Sequence, residues 1–90
     1  MPKDLSSRIL TLLAQEFEYT QALHCEKEDM MNKLGEDDSE SFDAALQELE
    51  GKGLVNLWID SRGKIKLAKI TWRGINEIGE VHLRYGLEVK

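Results

Sequence analysis

Cysteine and proline are almost absent from this 90-residue chain, which has one of each, Cys25 and Pro2. A single cysteine cannot form an internal disulfide, so no pattern here indicates a secreted, disulfide-stabilised fold. No apolar run approaches the roughly 20 residues that a membrane-spanning helix needs. The first residues also lack the apolar stretch of a signal peptide. We therefore expect a cytoplasmic protein that has no membrane partner.

Catalytic and ligand-binding patterns are also missing. The chain has no glycine-rich phosphate loop, no GxGxxG motif, and no Ser/His/Asp set at a spacing that supports nucleophilic catalysis. His24, Cys25 and His82 lack the ligand number and spacing of a zinc site. Glu26 and Glu28 should raise the pKa of the Cys25 thiol, which disfavours a reactive thiolate. We expect no enzymatic activity, no metal and no cofactor.

The composition is that of a small globular domain, with 41% hydrophobic and 32% charged residues. Its length predicts a single domain over residues 1–90. The net charge of −5 is unevenly distributed. Residues 1–59 hold five Lys or Arg against thirteen Asp or Glu, whereas residues 60–90 hold seven against four. Any contact with nucleic acid should therefore come from the C-terminal third.

Two segments in the first half have the apolar spacing of amphipathic helices. The first runs from Leu5 to Phe17, with Asp4 as its N-cap. Residues 18–25 have no helical period, and they predict a short extended piece. The second helix runs from Lys27 to Leu34 and ends at Gly35, where a positive φ is expected.

A third helix is predicted from Asp38 or Ser39 to about Lys52, with Gly53 in the position of a C-terminal glycine. The period then shortens to that of strands around a Ser61–Lys64 turn. After the turn, Ile65, Leu67 and Ile70 alternate at first with Lys64, Lys66 and Ala68, which predicts one buried face and lysines that point to water. Thr71 is the expected cap of a last helix from Trp72 to about Tyr85.

Three motifs in this order resemble winged helix-turn-helix regulators of the MarR-like and PadR-like kinds. The stretch from Ala45 to Val55 resembles the end of their recognition helix, with its L-x-x-L-x-x-x-G-L-V rhythm. The stretch from Asp60 to Lys64 resembles their wing turn, D-x-R-G-K. The stretch from Ile70 to Ile75 resembles the L-T-x-x-G that opens their closing helix. The resemblance implies an α+β, mainly helical fold: three helices, a two-stranded β-hairpin wing and a C-terminal helix.

The resemblance also implies a site on duplex DNA, with the third helix in the major groove and the wing on phosphates. The wing and its flank carry the expected phosphate contacts: Arg62, Lys64, Lys66, Lys69 and Arg73. The third helix offers three ordinary base-reading side chains: Ser39, Ser41 and Gln47. A solvated hairpin whose lysines deter edge-to-edge aggregation is the structural alternative for the basic set.

Acidity of the third helix opens a second hypothesis. From Leu34 to Gly51 there are seven acidic residues and no Lys or Arg, so this helix should repel DNA phosphates. The chain could instead be a protein-interaction module that has the winged-helix fold without DNA binding. Its contact residues would be Glu40, Asp43 and Glu48.

Four apolar residues are either structural or interfacial. Trp58 and Trp72 flank the hairpin, where we expect them to close the small core, although Trp is also common at binding hot spots. Tyr85 and Leu87 near the C-terminus are expected in a homodimer contact, as in dimeric members of this fold, or are simply isolated apolar residues.

Overall fold

The computed structural model of the chain describes residues 4–20 and 24–78. The elements in chain order are α1 (Leu5–Thr20), β1 (His24–Glu26), α2 (Lys27–Leu34), α3 (Ser39–Gly51), β2 (Val55–Ile59) and β3 (Ile65–Ile70). A further helix, α4, covers residues 72–78 at the end of the described part. No helix in this part of the chain is long and apolar enough to cross a membrane.

Helix α1 starts where the sequence predicts it and extends three residues further. The Asp4 carboxylate accepts a hydrogen bond from the Ser7 amide at 2.8 Å, which confirms the N-cap. The helix continues to Thr20 because no glycine or proline interrupts it after Phe17. Residues 18–20 of the predicted extended piece are therefore helical, and among its described residues the extended ones lie in β1.

Helices α2 and α3 have the predicted boundaries, and local chemistry explains both. Gly35 has φ 68°, the left-handed conformation that ends α2. Asp38 caps α3, since its carboxylate accepts from the Ser41 amide at 3.2 Å. The predicted apolar stripe of α3 is buried: Phe42, Ala45, Leu46 and Leu49.

The sheet has three strands instead of the predicted two. Its order is β1-β3-β2, and both pairings are antiparallel. The sequence predicted only a short extended piece before α2, and the pairing of β1 with β3 was missed because a three-residue strand is too short to show a period. Cys25 pairs with Ala68, so β1 lies beside β3, on the side away from β2. Helix α2 follows β1 directly in the chain.

Strand β3 departs from the strict alternation that its sequence predicts. The register shifts by one residue next to the wing turn, where Trp58 pairs with Leu67 but Ile59 pairs with Ile65. This bulge turns Ile65 to the same face as Ala68 and Ile70, and all three are buried. Lys64 and Lys66 are exposed as predicted, whereas the buried Ala68 shows that the alternation does not continue through β3.

The core lies between the helices and one face of the sheet. Its largest fully buried side chains are Phe42, Ile9, Leu13, Met30, Leu46 and Val55. Neither tryptophan belongs to it: Trp58 is 48% exposed and Trp72 is 75% exposed. The prediction that they close the core is wrong, because Trp58 lies on the outer face of β2 and Trp72, the first residue of α4, meets Phe17 edge to face with most of its surface in water.

Helix α4 begins as predicted, and two residues hold it against the hairpin. The Thr71 hydroxyl accepts from the Gly74 amide at 3.0 Å and donates to the Gly53 carbonyl at 2.7 Å. A Cβ atom at Gly74 would lie 2.3 Å from the Leu54 carbonyl oxygen, so only glycine fits. The predicted end of this helix near Tyr85 and the predicted homodimer contact of Tyr85 and Leu87 fall outside the described residues.

Candidate nucleic-acid interface

A helix-turn-helix is formed by α2, the turn of residues 35–38 and α3, and Lys27 ties its two helices together. The Lys27 ammonium lies 2.6 Å from the Asp43 carboxylate and donates to the Ser39 hydroxyl at 2.6 Å. The Lys27 side chain is only 14% exposed. This ion pair is therefore partly shielded from water and fixes the angle between α2 and α3.

Helix α1 also contacts the helix-turn-helix, through Arg8. The Arg8 guanidinium forms an ion pair with Glu36 at 3.0 Å and donates to the Leu34 carbonyl at 2.6 Å. The carbonyl is one of the groups at the end of α2 that have no partner within the helix. Arg8 thus stabilises the α2–α3 turn, and its charge is used within the fold.

Two of the three predicted base-reading side chains are already engaged at the start of α3. The Ser39 hydroxyl accepts from Lys27, and the Ser41 hydroxyl donates to the Asp38 carboxylate at 2.7 Å. Both serines are exposed, and so is Gln47 in the second half of α3. Gln47 is therefore the predicted reader whose amide has no competing bond within residues 4–20 and 24–78.

The acidic residues of α3 differ in their exposure and in their bonding partners. Asp43 is half-buried and held by Lys27, so it does not belong to an exposed contact face. Glu48 accepts from the Ser6 hydroxyl at 3.1 Å and from Lys52 at 3.3 Å. Glu40 is exposed and has no ion pair in the described part of the chain. Of the three acidic residues predicted for a protein contact, only Glu40 presents an unengaged carboxylate.

The wing turn is organised by one carboxylate. Asp60 accepts from the amides of Arg62 at 2.8 Å and Lys64 at 3.0 Å, and its own amide donates to the Lys64 carbonyl at 2.8 Å. These backbone hydrogen bonds hold the pKa of the Asp60 carboxyl below its ordinary value. Gly63 takes the φ of 80° that the turn requires.

The five predicted phosphate contacts separate into two groups. Arg62, Lys64 and Lys66 are exposed at the wing tip, and none forms an ion pair with another described residue. Lys69 is half-buried near the end of β3, opposite His24 and Asn56 in the register. Arg73 lies on the first turn of α4, where its side chain packs beside Gly53. Only the first group lies within the wing turn and the start of β3.

A cleft between α2 and the wing was not predicted from the sequence. It has a volume of about 810 Å³, and both the helix-turn-helix and the hairpin line it. Its walls carry five carboxylates and three ammonium groups, from Glu26, Glu28, Glu36, Asp37, Asp60, Lys27, Lys64 and Lys66. The wing lysines therefore stand on the far side of an acidic cleft from α2. No local pattern reveals this arrangement, because the two walls are about thirty residues apart in the chain.

Cys25 and its neighbours form a small separate pocket of about 270 Å³. Burial is the main cause that raises the pKa of the Cys25 thiol, followed by the nearby Glu16 carboxylate. The direction agrees with the sequence argument, but neither Glu26 nor Glu28 is the cause. Among the described residues, no group of three or more His, Cys, Asp or Glu side chains could hold a metal ion.

Comparison with known proteins defines the fold. The chain is similar to the structure of Lactococcus lactis ZitR, determined as a double mutant in apo form, with a TM-score of 0.61 and 14% sequence identity. The similarity covers 92% of this chain and 60% of the ZitR chain. No protein-family model and no curated protein matches the sequence. The helix-turn-helix, the hairpin and this similarity establish a winged helix, and a shared fold does not by itself assign an activity.

Proposed function

We propose that this chain is a winged-helix regulator of the MarR-like or PadR-like kind, which acts as a homodimer in the cytoplasm and binds duplex DNA first through its wing. The carrying observation is the wing tip, where Arg62, Lys64 and Lys66 are exposed and have no ion-pair partner among the described residues. Asp60 fixes the backbone beneath them, so these cations are presented on a rigid turn.

The negative charge of α3 is the reason that we expect the wing to make the main phosphate contacts. Non-specific affinity for DNA comes from cations that neutralise phosphates. The exposed face of α3 supplies none, since residues 34–51 contain no Lys or Arg. Phosphate contacts by the wing would have to offset the repulsion of Glu40, and Gln47 would be the residue of α3 left to read a base edge.

Charge reversal at the wing tip tests this proposal. We expect the double variant Arg62→Glu, Lys64→Glu to lose nearly all affinity for a fluorescent duplex at low salt, because two phosphate contacts become repulsive. Both residues are exposed, and Asp60 bonds their backbone amides instead of their side chains, so the turn should be retained.

A matched control separates local contact from overall charge. The double variant Lys33→Glu, Lys52→Glu changes the net charge by the same amount, but both residues lie outside the wing. The pair of Lys52 with Glu48 is on the surface, where such pairs contribute little stability. The Glu16 side chain that pairs with Lys33 is only 18% exposed, so the fold of this control is checked by circular dichroism. Equal loss of binding in the two double variants, or no loss in the wing variant, would overturn the proposal.

A second candidate function is a protein-interaction module without DNA binding. The observation that favours it is the exposed acidic face of α3, where Glu40 has no ion pair within the described residues and Glu50 is also exposed. This face would accept a basic protein surface.

The second function has a separate test. Glu40→Lys with Glu50→Lys should release a co-purifying basic partner while the fold, followed by circular dichroism, is unchanged. Reversal of Asp43 is a poor test, because its loss would break the ion pair with Lys27. A partner retained by the Glu40→Lys, Glu50→Lys variant would exclude the α3 face as its binding site.

A further inference from the structure

Strand β2 has an unpaired edge within the described sheet, because β3 is its only described neighbour. At the two ends of the hairpin, Thr71 donates to the Leu54 carbonyl at 3.1 Å and Asp60 donates to the Lys64 carbonyl at 2.8 Å. Bonded and non-bonded pairs alternate along an antiparallel ladder. The amides and carbonyls of residues 55, 57 and 59 therefore point away from β3.

This edge lacks the charged side chains and the proline that commonly prevent strand pairing. Residues 54–59 contain no charged residue and no proline, although 32% of the chain is charged. Trp58 and Ile59 are large apolar residues that are 48% and 54% exposed. The opposite edge, β1, is only three residues long and exposes His24 and Glu26. The two edges of the sheet thus differ in the protection they carry.

We propose that a second copy of this chain pairs its own β2 with this edge, antiparallel, about a twofold axis at Leu57. In this register Leu57 faces Leu57 of the other copy, and Val55 faces Ile59. The free backbone groups of residues 55, 57 and 59 then meet each other, which gives about six hydrogen bonds across the axis. Asn56 faces Trp58 on the outer side of the sheet.

Self-complementarity identifies the occupant as a second copy. In the twofold register no two like charges meet, because the paired segment is uncharged. In the joined sheet, Val55 and Leu57 of both copies lie on the same face, so apolar residues adjoin apolar residues across the axis. A shift of one residue would place Trp58 against this apolar side and lose the match.

The pairing leaves both wing tips free. Asp60 follows the last paired residue, so the two wing turns lie at opposite ends of the new ladder, roughly 20 Å apart along the strands at the usual rise per residue. The inference rests on the homodimer in the proposed function and not on DNA binding. A dimer that ignores DNA would therefore refute the DNA proposal alone.

Sedimentation velocity and amide exchange of the full chain test the pairing. We expect a species of twice the 10.3 kDa chain mass. The Leu57 amide should exchange slowly at millimolar protein and fast on dilution. Ile59→Lys should weaken the dimer at least about tenfold, because a lysine on an edge strand opposes pairing. Trp72→Lys replaces a more exposed apolar residue outside β2 and should leave the dimer intact.

Three outcomes would overturn the inference. One is a wild-type chain that stays monomeric at millimolar concentration. Another is a dimer whose Leu57 amide exchanges at the same rate at all concentrations, since its ladder would then be unpaired. The third is a dimer that survives Ile59→Lys but dissociates in Trp72→Lys, which would place the interface on the α4 side.

Discussion

Three aspartates at the starts of elements act through backbone amides. Asp4 caps α1, Asp38 caps α3, and Asp60 closes the wing turn. In each case hydrogen bonds to the carboxylate hold its pKa below the ordinary value. The donors are the serine three residues further on for Asp4 and Asp38. For Asp60 they are the Lys64 and Arg62 amides. Cap side chains were predictable from sequence, because the N-cap pattern is local. The motif resemblance placed Asp60 in the wing turn, but its bonds to the Arg62 and Lys64 amides were not predicted.

These carboxylates predict acid sensitivity. A group whose folded pKa is depressed contributes stability that is present above its unfolded pKa and is lost as pH falls through the folded pKa. The unfolded value is close to 3.8 for all three aspartates. We expect the urea midpoint to be level near neutrality and to fall as pH drops below about 5.

The substitution Asp38→Asn isolates one of these groups. An asparagine still caps a helix but does not titrate, so the variant should show a shallower decline of the urea midpoint in acid. Asp37→Asn is the control, since Asp37 is exposed and has no hydrogen bond in the described part of the chain. Equal acid slopes in wild type and Asp38→Asn would contradict the assignment.

At the scale of elements, the closing helix depends on one close approach. Gly74→Ala would place a Cβ against the Leu54 carbonyl oxygen. We expect α4 to shift from the hairpin and the free energy of unfolding to fall by about 1–3 kcal/mol. Gly51→Ala is a matched control, because nothing lies within 4 Å of its Cβ position and alanine favours a helix. A Gly74→Ala variant as stable as wild type would contradict this packing.

The angle between α2 and α3 depends on the ion pair of Lys27 with Asp43. Lys27→Met leaves the half-buried carboxylate of Asp43 without its cation, and we expect a loss of about 1–3 kcal/mol in unfolding free energy. Adding Asp43→Leu should recover much of that loss, since no unpaired charge remains. A double-mutant cycle by urea unfolding measures the coupling, and strictly additive single effects would show that the two residues act independently.

The helices and the hairpin were predictable because their signals are periodic and local. The apolar stripe of α3 and the glycines at 35 and 63 each marked their positions. The pairing of β1 with β3, the bulge in β3 and the exposure of Trp58 were missed, because each is decided by pairing with a distant segment. A tryptophan on a half-buried strand is compatible with either face, and only the register with Leu67 assigns it to the outer one.

At the scale of the whole molecule, the sequence predicted the charge of the candidate nucleic-acid interface but not its shape. The excess of cations after residue 60 located the basic surface at the wing. The separation of Lys69 and Arg73 from the wing tip required the fold, as did the acidic cleft between α2 and the wing. Likewise, the engagement of Asp43 by Lys27 joins residues sixteen positions apart and changes which acidic side chains remain on the surface.

A salt titration of duplex DNA binding by the wild-type chain tests the central claim most directly. The claim is that binding is led by the three cations of the wing tip. We predict that the logarithm of the association constant falls linearly with the logarithm of salt concentration, with a slope of about −3 for one wing or about −5 for a dimer. Absence of binding at the lowest salt, or binding that salt does not weaken, would contradict the claim and favour the protein-interaction function.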